Sequence, residues 1–391
     1  MTEKKGTEVS ADNVCESVGI DATGTSTCPM EAISNTSALD YALSEEGLYE
    51  SLQKCIKGTN WKTSVASFEL NGLKKCHKLS KQLNDRSYVP KKLKTFDITR
   101  PKRRTCTAIG ITDRVYQRSL NDNIVYPKMT LSLIRENAAC QKGKGTDYAR
   151  NLLKRDLFRV NYNQPKEKHG YALLLDIHGY YPNMWHKPVK DAFKRYLDKD
   201  EYKRVEEILD YQYPGEVGFT PGSQLIQIAG ISVLNTLDHY IKETLRIKYY
   251  IRYMDDFVLL HESKEYLQNC KLKIEAFLNT MKFELNKSKS QLIDIYSQPI
   301  PFLGFTFQIK SSGKIIVRVK ASKFREQKRR LKRLRICVTK GTISLDSFDN
   351  IANEDIRYLK KNCNVSRYYK EYNNLYQSLR KELNNEIQIS Y

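Results

Sequence analysis

No apolar run in this chain is long enough to span a bilayer, and its start lacks the pattern of a secretion signal. No basic amphipathic segment carries the Trp or Leu face of a membrane-surface helix. The 9 cysteines are odd in number and scattered, with no C-x-x-C pair and no paired histidines nearby. That argues against a zinc site and a disulfide framework, and fits a reducing cytoplasm. Internal repeats are absent. Acidic residues are in deficit: 45 Asp and Glu face 66 Lys and Arg, for a net charge of +21. Such a field favours a polyanion, with nucleic acid ahead of an anionic membrane surface. At 391 residues the chain allows a large core with two or three subdomains.

The stretch that organises the rest is Tyr249–Leu260, Tyr-Tyr-Ile-Arg-Tyr-Met-Asp-Asp-Phe-Val-Leu-Leu. Two runs of β-formers flank Met254-Asp255-Asp256, which predicts a hairpin of Tyr249–Tyr253 and Phe257–Leu260 with the acids at its turn. Adjacent carboxylates repel, and a divalent cation such as Mg²⁺ relieves that cost through oxygen ligands. The alternative for the tetrad is an ordinary polar turn. A second acid comes from Tyr171–Asp176, an apolar run that predicts a buried strand delivering Asp176 at its C-terminal end. Asp176 lies ten residues upstream of the helix around Lys187–Leu197, too far to cap it directly.

The remaining elements follow in order. Met1 to about Ser37, poor in large apolar residues, predicts a disordered tail. Leu43, Leu48, Leu52, Ile56, Leu70, Leu73, Leu79 and Leu83 recur at helical spacing, for two or three packed helices. Two strands around Phe96–Ile98 and Thr105–Ile111 flank Pro101-Lys102-Arg103-Arg104, a basic turn that either meets a polyphosphate or is merely solvated. Asp113 opens a helix to Leu120. Cys140–Thr146 lacks the spacing of an NTPase P-loop, and contact of this basic Gly-rich turn with a nucleic-acid backbone stays open. Tyr148–Leu157 reads as a helix. Val217–Gln224 is a Gly/Pro loop before one long helix, Leu225 to Leu245; its amides suit a phosphate or serve only as a junction. Lys271–Met281 is helical, Gln291–Tyr296 a strand, and Phe302–Phe307 with Lys314–Val319 a hairpin. Lys320–Arg335 is a nearly all-cationic helix with Phe324, Leu331 and Leu334 inward, suited to phosphate contact. The last fifty residues are helical and Tyr-rich.

Taken in this order, about Phe96 to Val319 resembles the reverse transcriptases. Tyr253-Met254-Asp255-Asp256 is that family's most recognisable signature, and Met254 favours a DNA-making enzyme over the Gly-Asp-Asp of viral RNA-copying polymerases. Arg-Tyr-Met-Asp-Asp-Phe, Gln-Lys-Gly-Lys-Gly-Thr and Phe-Leu-Gly-Phe look most like bacterial members: retron, group II intron, diversity-generating and phage-defence enzymes. The diversity-generating pattern Ile-Gly-x-x-x-Ser-Gln is not met, because Ile226 precedes Gln227. Nothing after Val319 resembles a zinc-binding endonuclease, RNase H or integrase. A defence-associated or otherwise unclassified bacterial enzyme leads by elimination.

The resemblance implies an α+β right-hand polymerase fold, with an antiparallel palm sheet, helical fingers and a basic helical thumb. After the tail (1–37) and a helical region (38–83), the fingers span 84–170, the palm 171–310 and the thumb 311–391. Asp176, Asp255 and Asp256 are implied as catalytic, with Ile177 joining them in a metal set for two Mg²⁺ ions, replaceable by Mn²⁺. One ion lowers the pKa of the primer 3′-hydroxyl and the other neutralises triphosphate and pyrophosphate. Tyr181 matches the steric gate against ribonucleotides; its alternative is a core aromatic. Lys102 and Arg104 are implied for the triphosphate, with Arg103 a rival. Gln224 and Gln227 are implied at the template or nucleotide. Lys289, or else Lys287, is implied as an acid near the pyrophosphate. Phe302 and Gly304 belong to the expected primer grip, and Lys323, Lys328, Arg329 and Lys332 to a duplex-tracking face. The implied partners are an RNA template, expected to be a structured noncoding RNA, with dNTPs and the DNA product. Whether a homo-oligomer or a partner protein takes part is left open. Two other functions remain: template-independent or protein-primed synthesis using C-terminal tyrosines, and a non-catalytic RNA-binding module.

Overall fold

The computed structural model describes residues 37–99, 104–163, 169–220 and 222–389. The expected tail up to Thr36, together with Lys102 and Arg103 of the basic turn, lies outside them. The N-terminal region holds four helices, one more than the spacing predicts at most: α1 (Ala38–Leu43), α2 (Glu45–Ile56), α3 (Thr63–Glu69) and α4 (Gly72–Asn84). Ser44 caps α2, its hydroxyl accepting from the Gly47 amide. Most of the expected apolar stripe is buried, but Leu70 and Leu73 are 84% and 68% exposed. Leu70 lies between α3 and α4 and Leu73 in the first turn of α4, so the helical period does not carry across.

The strands β1 (Lys94–Ile98) and β2 (Arg104–Ala108) pair antiparallel, Ile98 opposite Arg104. Next come α5 (Ile111–Leu120), a π-turn at Asn121–Val125, α6 (Tyr126–Thr130) and α7 (Thr146–Asn163). In β3 (Tyr171–Asp176), Leu173 and Leu175 enter one hydrophobic core while Ala172 and Leu174 enter another. Burial on both faces is why this run is continuously apolar rather than alternating. The helices α8 (His186–Tyr196) and α9 (Lys199–Gln212) follow, the second opened by a capping box of Asp198 and Glu201.

One continuous helix was expected over Leu225–Leu245. The chain instead forms α10 (Gln224–Val233), α11 (Asn235–His239) and a π-turn at Tyr240–Thr244. Arg252 takes the Ile231 carbonyl, at 2.7 Å, which a continuing helix would need as an acceptor. Then come β4 (Tyr249–Tyr253), β5 (Asp256–His261), α12 (Lys264–Thr280) and β6 (Gln291–Asp294). The central sheet runs β4-β5-β3-β6, antiparallel throughout. A second antiparallel sheet holds β7 (Ile300–Phe302), β8 (Phe305–Ile309) and β9 (Ile315–Val319). The expected boundary after 310 falls inside its β8–β9 hairpin, where Ile309 faces Ile315. Three helices complete the chain: α13 (Ala321–Thr339), α14 (Leu345–Asn362) and α15 (Ser366–Ile389). Phe324 and Leu331 of α13 are buried and Leu334 is half-buried, as the spacing predicts. No helix among the described residues is long and apolar enough to cross a membrane.

Candidate active site

Strands β3 and β5 lie side by side with Asp176 directly opposite Asp256. On the other side of β5, Asp256 faces Tyr253, so Met254 and Asp255 make the tight turn of the hairpin. Met254 adopts a left-handed backbone, φ 57°, a conformation L residues adopt sparingly. The three acids thereby meet at one end of the sheet, as the family resemblance implies.

The segment after α12 extends this end. Ile177 forms a bridge with Leu285, the His178 amide donates to the Glu284 carbonyl at 2.8 Å, and the Asn286 amide to the Asp176 carbonyl at 2.7 Å. Ile177 itself is buried in the core. The turn that follows brings Lys289 back over the sheet, where its ammonium donates to both oxygens of Asp176 at 2.8 and 2.7 Å. The sequence expectation put Lys289 near a leaving pyrophosphate; in the structure its partner is the carboxylate. Lys287, the rival, is exposed.

The electrostatics of the turn follow from crowding. Burial raises the Asp255 carboxyl above its ordinary range, and Asp176 adds to that. Burial, then Asp255 and Asp176, push Asp256 from its ordinary 3.8 to about 7. The bond to Asp176 raises the Lys289 ammonium.

The donor set has the chemistry of a site for hard divalent ions, namely carboxylate oxygens on adjoining strand ends. It is not closed into a cage: among the described residues no three His, Cys, Asp or Glu side chains are arranged to hold an ion. Both oxygens of Asp176 are turned to Lys289. The residues therefore fit a metal once the Lys289 ammonium gives way.

A cleft of about 500 Å³ opens over the acids, walled by Lys289, Pro301, Phe302, Leu303, Gly304 and Lys320. Leu303 and Gly304 form the β7–β8 turn with φ of 45° and 83°. Phe302 is buried and Lys320 exposed at this cleft. Tyr181 is half-buried beside Tyr180, ring centroids 5.3 Å apart, and its hydroxyl has no partner. Burial raises that phenol, with Cys140 and Asp255 adding to the rise.

Gln224 lies apart from the acids' cleft. It lines another of about 280 Å³ with Gln227, Lys62, Arg114 and Arg118. Ser223 caps α10, accepting from the Leu225 amide at 3.1 Å and donating to Gln117 at 2.7 Å. Gly222 packs on β2, where a Cβ would come within 3.0 Å of the Thr107 carbonyl. The Gly/Pro loop is thus docked on the first hairpin. Arg104 is the first residue of β2.

Other cations expected at nucleic acid are engaged within the protein. Lys323 lies over the Phe305 and Tyr358 rings, 5.3 and 5.2 Å from their centroids, and Lys328 pairs with Glu371 at 2.6 Å. Arg329 and Lys332 are exposed on α13. Lys144 of the Gly-rich turn donates to the carbonyls of Arg135 and Asn137 at 3.2 and 3.1 Å. Lys144 thereby ties the turn to the segment before it, while Lys142 of the same turn is exposed.

Two residues at the site were missed. Cys140 places its sulfur 3.8 Å from that of Met254, bringing the Gly-rich turn against the acidic turn. Arg252 is fully buried and bonded to Asp238. An arginine inside an otherwise apolar and aromatic strand was the signal for the latter.

A sheet end bearing three carboxylates beneath a glycine turn is the palm of a polymerase. The chain belongs to the reverse transcriptase family: the family model described as reverse transcriptase (RNA-dependent DNA polymerase) matches residues 89–307, over half of the sequence. The group II intron-encoded protein LtrA of Lactococcus lactis subsp. cremoris is 39% identical over 75 residues, which cover 19% of this chain and 12% of that protein. The same protein from strain MG1363 matches equally. Among solved structures, apo telomerase from Candida tropicalis, truncated from its C-terminal domain, is similar with a TM-score of 0.45 and 14% identity. That likeness covers 59% of this chain and 54% of the other.

Proposed function

We propose that the protein is an RNA-directed DNA polymerase, copying RNA by nucleotidyl transfer at Asp176, Asp255 and Asp256. The observation that carries this reading is the β3–β5 register, which sets Asp176 against Asp256 on the floor of the 500 Å³ cleft. In the reaction the primer 3′-oxygen bonds to the α-phosphorus of a dNTP, the 3′-hydroxyl proton is lost, and the bond to pyrophosphate breaks. Two Mg²⁺ ions, held by the three carboxylates and the backbone at Ile177, would supply charge neutralisation and a more acidic 3′-hydroxyl. Lys289, released from Asp176, would donate to the leaving pyrophosphate. Tyr181 gates the sugar against ribonucleotides, Lys102 and Arg104 meet the triphosphate, and Gln224 contacts the incoming nucleotide or the template.

The same reading takes 84–170 as fingers, 171–310 as palm and 311–391 as thumb, with Arg329 and Lys332 on the duplex. It places the enzyme in a reducing cytoplasm, which suits the free thiols Cys55, Cys76, Cys270 and Cys363 in the core. A structured noncoding RNA is the proposed template, and phage defence or a retroelement the setting; the sequence motifs support both. Protein priming is less favoured for two C-terminal tyrosines, because the Tyr372 and Tyr376 hydroxyls are bonded to Asp355 and Asp349 at 2.7 and 3.0 Å.

The test is synthesis by purified protein with four dNTPs and Mg²⁺, before and after nuclease removal of co-purifying RNA. RNA-dependent, protease-insensitive DNA that disappears in Asp255→Ala, Asp256→Ala supports the reading, and full activity of that variant refutes it. DNA that persists without RNA or migrates with protein favours untemplated or protein-primed synthesis. Phage challenge of cells carrying wild-type or double-variant gene tests the defence setting.

A further inference from the structure

We infer that Arg252 is a positioning residue for the catalytic turn, a strut between the end of α10 and the peptide that leads into Asp255. The inference rests on the reading of Asp255 and Asp256 as the reacting pair.

Arg252 is the largest fully buried side chain among the described residues, 0% exposed. A guanidinium in the core is tolerable only when paired and hydrogen-bonded. All three of its nitrogens are engaged. Nε and Nη2 donate to the two oxygens of Asp238 at 2.7 and 2.6 Å, and Nη2 also to the Ile231 carbonyl at 2.7 Å. Asp238 is equally buried and accepts a further bond from the Tyr250 hydroxyl at 2.7 Å. This pairing alone neutralises the charge. The remaining bond does something else: Nη1 donates to the Met254 carbonyl at 3.0 Å.

That carbonyl belongs to the peptide joining Met254 to Asp255. The turn is left-handed at Met254, so its geometry depends on contacts that hold it there. Fixing the peptide plane fixes where the Asp255 carboxylate starts from. The backbone of Arg252 is held as well: its amide donates to the Glu136 carbonyl at 3.1 Å, and its carbonyl accepts from Ala138 at 2.9 Å.

The anchor is the last turn of α10, where carbonyls run out of intrahelical donors. The Ile231 carbonyl receives Arg252, and the neighbouring Gly230 carbonyl receives the Tyr180 hydroxyl. Tyr180 lies four residues after Asp176. One helix end thus holds the segments carrying Asp176 and Asp255.

Two variants test the strut. Arg252→Lys keeps a cation against Asp238 but lacks the planar fork that also reaches Met254. The pair Asp238→Leu, Arg252→Met replaces both charges with apolar groups of similar volume, an exchange that buried ion pairs often tolerate. Both are expected to melt near the wild type. On a primed RNA template kcat should fall roughly thirtyfold while the dNTP KM stays within about twofold, the pattern of a lost transition-state interaction. Hydrogen exchange in peptides covering 253–256 should quicken, with α12 unchanged. Asp255→Ala runs alongside: if it retains synthesis, the reading of the acids fails. If it is inactive while folded Arg252→Lys and the double variant keep wild-type kcat, only the strut is overturned. Loss of the fold in both variants also overturns it, because Arg252 would then serve the core rather than the turn.

Discussion

Asp256 sits where burial and two neighbouring carboxylates oppose its charge, and its carboxyl rises from 3.8 to about 7. A carboxyl whose pKa is higher in the folded state binds its proton more tightly there than in the unfolded chain. Its stabilising contribution is complete below 3.8 and is lost as pH rises through about 7. In EDTA, the melting temperature of the wild type should therefore fall more over that range than that of Asp256→Asn. Identical pH profiles would count against the crowding. Saturating Mg²⁺ at pH 8 should raise the wild-type melting temperature and leave Asp255→Ala, Asp256→Ala nearly unmoved. A second residue-scale prediction concerns Gly230. A Cβ there would come within 2.8 Å of the Tyr181 hydroxyl and 3.3 Å of its ring. Gly230→Ala should displace that ring and reduce dNTP-over-rNTP preference about tenfold, on the order of 1.4 kcal/mol. Tyr181→Phe removes only an unpartnered hydroxyl and should keep the preference. Single-nucleotide incorporation with matched dNTP and rNTP measures both.

At the scale of elements, the hairpin β4–β5 and strand β3 were readable because each combines an apolar run with an acid at its end. Their pairing partners were less so. The segment Glu284–Ser290 carries no strong period, yet its backbone bonds to Asp176 and His178 deliver Lys289. Helix α10 shows the converse. Its apolar pattern runs on past Leu234, but the helix ends at Val233, and Arg252 of another element donates to the Ile231 carbonyl in its last turn. The start of α10 is local chemistry: Ser223 caps it and also reaches Gln117. Ser223→Ala should cost about 1 kcal/mol for the cap, and more if the Gln117 bond is not replaced by water. Urea unfolding gives the value, and an unchanged midpoint would show the cap to be idle.

For the whole molecule, the +21 charge sets long-range attraction to polyanions but does not say which cations touch them. On α13, Lys328 is tied to Glu371 and Lys323 lies against aromatic rings, whereas Arg329 and Lys332 are exposed. Arg329→Glu with Lys332→Glu should weaken binding to an RNA–DNA duplex and flatten the log Kd against log salt slope by roughly 1.8, about 0.9 for each phosphate no longer neutralised. Lys328→Ala should alter the slope by much less. Filter binding across a salt series separates the two. If both variants lower the slope equally, the exposed face is not the binding face.

The sequence by itself determined the class of this protein: the β4–β5 hairpin, that Asp255 and Asp256 sit at its tip, and that a third acid ends a buried strand. Those features are local, written in β-propensity, turn chemistry and the length of apolar runs. It also marked the cationic helix, because a charge run needs no partner to be seen. Only the tertiary structure decided that Asp176 faces Asp256, that Lys289 turns to Asp176, and that Leu70 and Leu73 are exposed. It also decided that Arg252 bonds both the Ile231 carbonyl of α10 and the Met254 carbonyl of the acidic turn. Each of these depends on groups far apart in the chain meeting in space. Register, ion pairing and the sharing of a carbonyl are settled by competition among partners that no local period records.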